Sequence, residues 1–143
     1  IRDSSKPTAP SPLPTATPIM PFVNIRTSAP LDAAGIKAVT DAAHKAINEV
    51  LSKPDEYIAV NVDVCPNLQF GGTKAPAAMI SVHSIGYGGA NAKANKEALL
   101  KALGEAMKTA GNVPGDRLFV SFEDVHKDFW GFNGQLFSTI FGT

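Results

Sequence analysis

The first half of the chain alternates hydrophobic and polar positions, changes to a helical period, and alternates again. Phe22–Thr27 alternates and predicts a strand, with Asp32 as the expected N-cap of the helix that follows. Pro54 is expected to stop this helix, and residues 57–64 form the clearest alternating segment of the chain. Between Asp32 and Pro54, the apolar positions that recur at helical spacing are Ile36, Val39, Ala43, Ile47 and Val50.

The second half repeats this order. Residues 78–85 predict a strand, and a glycine-rich turn precedes a helix predicted over residues 91–110, which Gly111 is expected to end. A third alternating segment follows, with its apolar face at Leu118, Val120 and Phe122. The aromatic, glycine-containing tail after it indicates short strands or turns.

Two strand–helix–strand segments of similar length predict an α+β fold, a two-layer sandwich of two pseudo-symmetric β-α-β units. Their four strands would form one mixed sheet with both helices on one face. The other face would be polar, and a sheet with parallel pairs rarely leaves a face bare. We therefore expect self-association or a partner to cover it. The polar residues on that face are Asn24, Arg26, Asn61, Asp63, Ser81 and His83.

The first 20 residues differ from the rest and are predicted to be a proline-rich extended arm, with one domain over residues 21–143. Five prolines within residues 1–19 remove backbone donors and favour polyproline II. Such a segment buries too little apolar surface to fold alone. It is either a disordered tail, a processing remnant, or an arm docked on a partner. The start at Ile1 indicates a removed leader or a longer product, which would suit an intracellular, organellar subunit of a plastid or mitochondrion.

Composition narrows the classes of function. Thirteen basic residues balance thirteen acidic ones, so the chain has no net charge to attract nucleic acid, and no apolar run reaches the roughly 20 residues of a membrane span. The three histidines lack metal-ligand spacing, and no metal site is predicted. The turn from Gly86 to Gly89 lacks a phosphate-loop lysine, and the single cysteine, Cys65, is expected to be a half-buried residue after a strand. A Ser81/His83/Ser84 nucleophile is disfavoured, because neighbouring strand positions face opposite sides.

An ordered set of short motifs resembles the macrophage migration inhibitory factor (MIF) and tautomerase superfamily from Pro21 nearly to the C-terminus. The resemblance implies the sheet described above, assembled as a homotrimer around a central channel, and no cofactor. The motifs are Pro21-Phe22-Val23-Asn24, Lys53-Pro54-Asp55-Glu56-Tyr57-Ile58-Ala59-Val60, Phe70-Gly71-Gly72, Ser81-Val82-His83-Ser84-Ile85-Gly86, Asp116-Arg117 and Gly131-Phe132-Asn133-Gly134.

The same resemblance implies the site residues. Pro21 matches the N-terminal proline whose secondary amine moves the proton in keto–enol tautomerisation. Lys53 matches the lysine that holds an anionic substrate group, Ile85 matches a residue whose backbone contacts substrate, and Phe132 is expected to line the pocket.

The chain also departs from the pattern of this superfamily. Phe119 stands where relatives have a tyrosine hydroxyl, and Ser121 stands where they have an asparagine. Ala77 and Ile80 replace a Cys-x-x-Cys pair, so thiol redox activity is not carried over.

Three functions remain open. Because Met20 precedes Pro21, the proline nitrogen is an amide, which favours a non-catalytic structural or interaction subunit whose arm, residues 1–20, is docked on a partner. An active tautomerase after cleavage between Met20 and Pro21 is the alternative. A secreted effector would rest on family analogy alone.

Overall fold

The computed structural model describes residues 21–141, and the predicted arm, residues 1–20, therefore lies outside the described residues. The helices and strands of the domain are β1 (Phe22–Thr27), α1 (Ala33–Leu51), β2 (Ala59–Val64), β3 (Ala78–Ser84), α2 (Ala92–Gly111), β4 (Leu118–Asp124), β5 (Gly131–Phe132), β6 (Gln135–Leu136) and α3 (Phe137–Ile140). Short 3-10 turns precede β2, α2, β4 and β5. Within residues 21–141, none of the helices has the length and apolar character needed to cross a membrane.

The main sheet has the strand order β2-β1-β3-β4. β1 pairs with β2 in parallel, β3 pairs with β4 in parallel, and the two central strands pair antiparallel, with Ile25 opposite Ile80. Each parallel pair is joined by one long helix, so the chain forms two β-α-β units. The predicted α+β sandwich is confirmed.

One face of the sheet packs against α1 and α2 and forms the core. Val23, Ile25 and Val82 are fully buried there, together with Ile47 of α1 and Leu103 of α2. Burying such a side chain contributes about 1.5–3 kcal/mol to the free energy of unfolding.

Within residues 21–141, no element covers the opposite face of the sheet, as predicted. Arg26, Asn61 and Asp63 are exposed on it, and Asn61 Nδ2 donates to Asn24 Oδ1 at 2.8 Å and to Asp63 Oδ2 at 3.0 Å. Side-chain hydrogen bonds therefore link the two parallel strands across the polar face.

The boundaries predicted for the first long helix agree with the structure, whereas the predicted end of the second does not. The prediction for α1 is confirmed: Asp32 Oδ1 accepts from the Gly35 N–H at 2.8 Å, and the helix ends at Leu51, three residues before Pro54. The prediction that Gly111 ends the second helix is wrong, because α2 begins at Ala92 and includes Gly111, and Asn112 adopts the left-handed conformation (φ 55°). Asparagine tolerates that conformation, and a Cβ on Gly111 would lie 3.0 Å from the Ala29 Cβ. Gly111 is therefore needed for close packing.

Two further boundaries differ from the prediction. The second strand begins at Ala59 rather than at residue 57, because Asp55–Tyr57 forms a 3-10 turn directly after Pro54. The strand predicted over residues 78–85 ends at Ser84. The aromatic tail contains the expected short strands, β5 and β6, but also the four-residue helix α3.

Tyr87 fastens the end of β3 to the end of β4. It is buried, and its phenolic oxygen lies 3.0 Å from the Val82 carbonyl and 2.9 Å from the Glu123 carbonyl, each of which can accept its proton. Its ring meets Phe122 edge-on with the centroids 5.7 Å apart. Burial, reinforced by the charge of Asp124, raises the pKa of Tyr87 well above its ordinary value of 10.0.

We expect Tyr87→Phe to lower the free energy of unfolding at pH 7 by about 1–2 kcal/mol, because the carbonyls lose their donor. In the unchanged protein the unfolded chain releases the Tyr87 proton above about pH 10 while the folded chain keeps it, so stability falls as pH rises past that point. Urea unfolding at pH 7 and pH 10.5 tests both effects. If the free energy of unfolding falls by the same amount between pH 7 and pH 10.5 in Tyr87→Phe and in the unchanged protein, this role of Tyr87 is contradicted.

Candidate active site

Pro21 lies at the start of β1, beside a cavity of about 290 Å³. It is buried, and its carbonyl accepts a hydrogen bond from the Ala59 N–H at 3.2 Å. The parallel pairing of β1 and β2 therefore fixes Pro21 at one end of the sheet. The cavity is lined by Pro21, Phe22, Glu56, Tyr57, Ile58, Ala59, Trp130, Gly131, Phe132 and Phe137.

A chain of stacked aromatic rings forms one wall of the cavity. Tyr57 meets Phe132 edge-on with centroids 5.2 Å apart, and Phe132 stacks on Phe137 at 6.0 Å. Phe137 is only 1% exposed and packs with Ile85 in a second small core. The Phe137 N–H donates to the Trp130 carbonyl at 2.9 Å, which fixes α3 against this wall. Pro21 and Phe132 therefore line this cavity, whereas Ile85 is not in the lining and packs with Phe137.

Lys53 lies between the end of α1 and the cavity wall, and it is 3% exposed. Burial disfavours its charged form and lowers the pKa of its ammonium below the usual 10.5. Its side chain is not among those that line the cavity, but its chain segment leads directly to Glu56 and Tyr57, which do line it.

Phe119 and Ser121 are not near this cavity in the single chain. Phe119 pairs with Met79 across β3 and β4, and Met79 pairs with Arg26, four residues along β1 from Phe22. Four residues along a strand span about 13 Å, at about 3.3 Å per residue, so Phe119 lies at least this far along the sheet from Phe22. Phe119 is 62% exposed and contacts Phe70, with centroids 4.8 Å apart.

Ser121 is exposed on the same edge strand, opposite Ser81. β4 has no neighbouring strand on its outer side in the sheet order. Phe119 and Ser121 are therefore placed on a surface that another chain could reach.

Sequence reasoning missed a polar cluster beside Lys53. Asp55 Oδ1 lies 2.9 Å from His44 Nε2 and 3.2 Å from Asn48 Nδ2. The spacing of His44 and Asn48, four residues apart on a helix, puts both side chains on one face and was a usable signal. It could not reveal Asp55, because the turn after Pro54 brings the chain back toward the helix.

The other candidate chemistries gain no support from the geometry. Ser84 is fully buried on the core face, whereas the His83 ring faces the other way and meets Phe22 edge-on at 6.1 Å. Cys65 is half-buried after β2. Among residues 21–141, no group of three or more His, Cys, Asp or Glu side chains could hold a metal ion.

Comparison with known proteins agrees with this architecture. The sequence model described as "Macrophage migration inhibitory factor (MIF)" matches residues 20–138. A macrophage migration inhibitory factor homolog of Trichuris trichiura is 29% identical over 119 residues, which cover 82% of this chain and 100% of that protein.

Solved structures give the same result. A macrophage migration inhibitory factor homologue from Prochlorococcus marinus has a TM-score of 0.72 and 27% identity, with coverage of 81% of this chain and 98% of the other. A protein solved after inactivation by 2-oxo-3-pentynoate shares the fold at a TM-score of 0.75 and 20% identity, with coverage of 85% and 99%. The two-unit sheet, the helices and the matched length together place this chain in the macrophage migration inhibitory factor family, which has the tautomerase fold.

Proposed function

We propose that residues 1–143 form a non-catalytic structural or interaction subunit with the MIF fold, whose arm, residues 1–20, docks on a partner. The observation that carries this proposal is the peptide bond between Met20 and Pro21. Met20 precedes Pro21, so the nitrogen that the family resemblance assigns as the base is part of a peptide bond. The family sequence model begins at Met20, and residues 1–19 therefore lie before the region it matches.

An amide nitrogen and an amine nitrogen differ in their ability to accept a proton. The lone pair of the Pro21 nitrogen is delocalised into the Met20 carbonyl and is not available to a proton. A free N-terminal amine has a pKa of about 7.7–8.0 and can act as a base near neutral pH. Phe119 lacks the hydroxyl of the tyrosine that relatives are expected to have at that position. Ser121 lacks the amide of the expected asparagine. The chain therefore lacks the base and is altered at two of the matched pocket positions.

The uncovered sheet face supports a homotrimer as part of this assembly. Arg26 and Asp63 are exposed on that face, and Phe119 is exposed on the edge strand. A second copy that reached β4 would bury Phe119, whose exposed ring is costly to hydrate.

The docked arm can be tested through Lys6, the single lysine of residues 1–20. We expect an amine-reactive cross-linker, applied to the protein isolated from its own source, to join Lys6 to a second kind of polypeptide. Lys37, which is exposed on α1 and pairs with Asp41 at 2.8 Å, is the matched control and should give no such cross-link. Cross-links from Lys6 that remain within copies of this chain would contradict a partner bound through the arm.

The second candidate is a keto–enol tautomerase formed by cleavage between Met20 and Pro21. The apolar cavity at Pro21 and the buried Lys53 favour it. The amine of Pro21 would remove a proton from the carbon next to the carbonyl of an aryl 2-keto acid such as phenylpyruvate. The proton would then be returned to the carbonyl oxygen, and the enol would form without any change in oxidation state. The aromatic wall would hold the substrate ring, and Lys53 would hold its carboxylate.

A further inference from the structure

Three side chains fix the backbone between the end of α1 and the cavity wall. Asn48 Nδ2 donates to the Lys53 carbonyl at 2.6 Å and to Asp55 Oδ1 at 3.2 Å. His44 Nε2 lies 2.9 Å from the same carboxylate oxygen. We refer to His44, Asn48 and Asp55 as the Asn48 clamp. It connects the last two turns of α1 with both sides of Pro54.

The turn held by this clamp is strained. Ser52 adopts the left-handed conformation (φ 56°), which is unfavourable for a residue other than glycine. This turn also carries Lys53, which is buried. The short bond from Asn48 to the Lys53 carbonyl holds the backbone directly after Ser52.

We propose that Asn48 is the positioning residue for Lys53: its amide fixes the Lys53 carbonyl and the Asp55 carboxylate together, and so holds the lysine where an anionic substrate group would be recognised. The clamp also fixes the start of the turn that carries Glu56 and Tyr57 into the cavity wall. The catalytic consequence rests on the tautomerase proposed above. The positioning of Lys53 itself does not.

The direct test is the titration of Lys53 in residues 1–143, followed by NMR of the lysine side-chain signals and assigned with Lys53→Arg. In the unchanged protein, burial keeps the pKa of Lys53 below 10.5. In Asn48→Ala we expect the lysine to relax toward water and its pKa to rise measurably toward the ordinary value. Glu49→Ala, one residue along the same helix, should leave it unchanged.

Asn48→Ser provides a second variant if Asn48→Ala does not fold, because its shorter hydroxyl side chain stays polar but cannot reach both the Lys53 carbonyl and Asp55 as the amide does. We expect the same rise in the pKa of Lys53, smaller in size. If Lys53 titrates as in the unchanged protein in a folded Asn48→Ala or Asn48→Ser chain, Asn48 does not position it.

A catalytic readout uses a chain that begins at Pro21. Such a chain has all four strands and both core clusters, and the Trichuris trichiura relative is covered in full by 119 matched residues. We expect Asn48→Ala to raise KM for phenylpyruvate about tenfold, as loss of one well-placed charged contact does, with kcat within about threefold. For the uncharged methyl ester of phenylpyruvate, KM should change less than about twofold.

The experiments can contradict the tautomerase proposal and the positioning role of Asn48 independently of each other. If the unchanged chain beginning at Pro21 is inactive, the tautomerase proposal fails, and the Lys53 titration still decides the role of Asn48. Equal increases in KM for the acid and the ester would show a general disturbance of the pocket and would overturn the positioning role.

Discussion

A chain that begins at Pro21 is expected to tautomerise phenylpyruvate at least about a hundredfold faster than a chain that keeps Met20, since a positioned general base contributes about 10²–10⁴ in rate. The two chains differ by one residue and share the cavity, Lys53 and the aromatic wall. Only the chemical state of the Pro21 nitrogen changes. The rate of the shorter chain should rise with pH through the pKa of its amine, because only the unprotonated amine accepts the substrate proton.

The comparison needs matched preparations. Mass spectrometry should establish the first residue of each chain. Similar rates for both chains would show that the Pro21 amine is not the base. Inactivity of both would leave the interaction subunit as the remaining proposal.

Phe137→Ala is expected to lower the free energy of unfolding by about 3–5 kcal/mol. Phe137 is 1% exposed, stacks between Phe132 and Phe141, and closes the wall of the cavity around Pro21. Removing the ring leaves a hole between rings that cannot all move into it. Urea unfolding of the two proteins at pH 7 measures the difference.

Phe129→Ala is the matched control for that experiment. Phe129 lies in the same tail but is 82% exposed, so its loss should change the free energy of unfolding by less than about 0.5 kcal/mol. Equal effects of the two substitutions would contradict the second small core around Phe137 and Ile85.

The fold could be predicted from the sequence to a large extent, because each central element carries a clear period. Val23 and Ile25 alternate with polar neighbours and are buried, as the pattern indicates. The errors lie where the backbone turns. Asn112 rather than Gly111 adopts the left-handed conformation at the end of α2, and the tail folds into α3. These details depend on close packing with distant residues, which a local pattern does not contain.

The candidate site was predicted less completely. The structure places Pro21 and Phe132 in the cavity lining, and Ile85 packs with Phe137 of that lining. Lys53 is buried but does not line the cavity, and Phe119 lies at the far end of the sheet. A resemblance names residues that share a pocket without saying whether one chain supplies them all. The Asn48 clamp was missed for another reason, since its carboxylate comes from the turn after Pro54.

The central claim is that Pro21 is not a base in the intact protein. It is tested most directly by the rate of phenylpyruvate tautomerisation by residues 1–143, with mass spectrometry of the same sample showing the Met20–Pro21 bond unbroken. We predict a rate equal to that of buffer alone. A rate comparable to that of the chain beginning at Pro21 would contradict the claim.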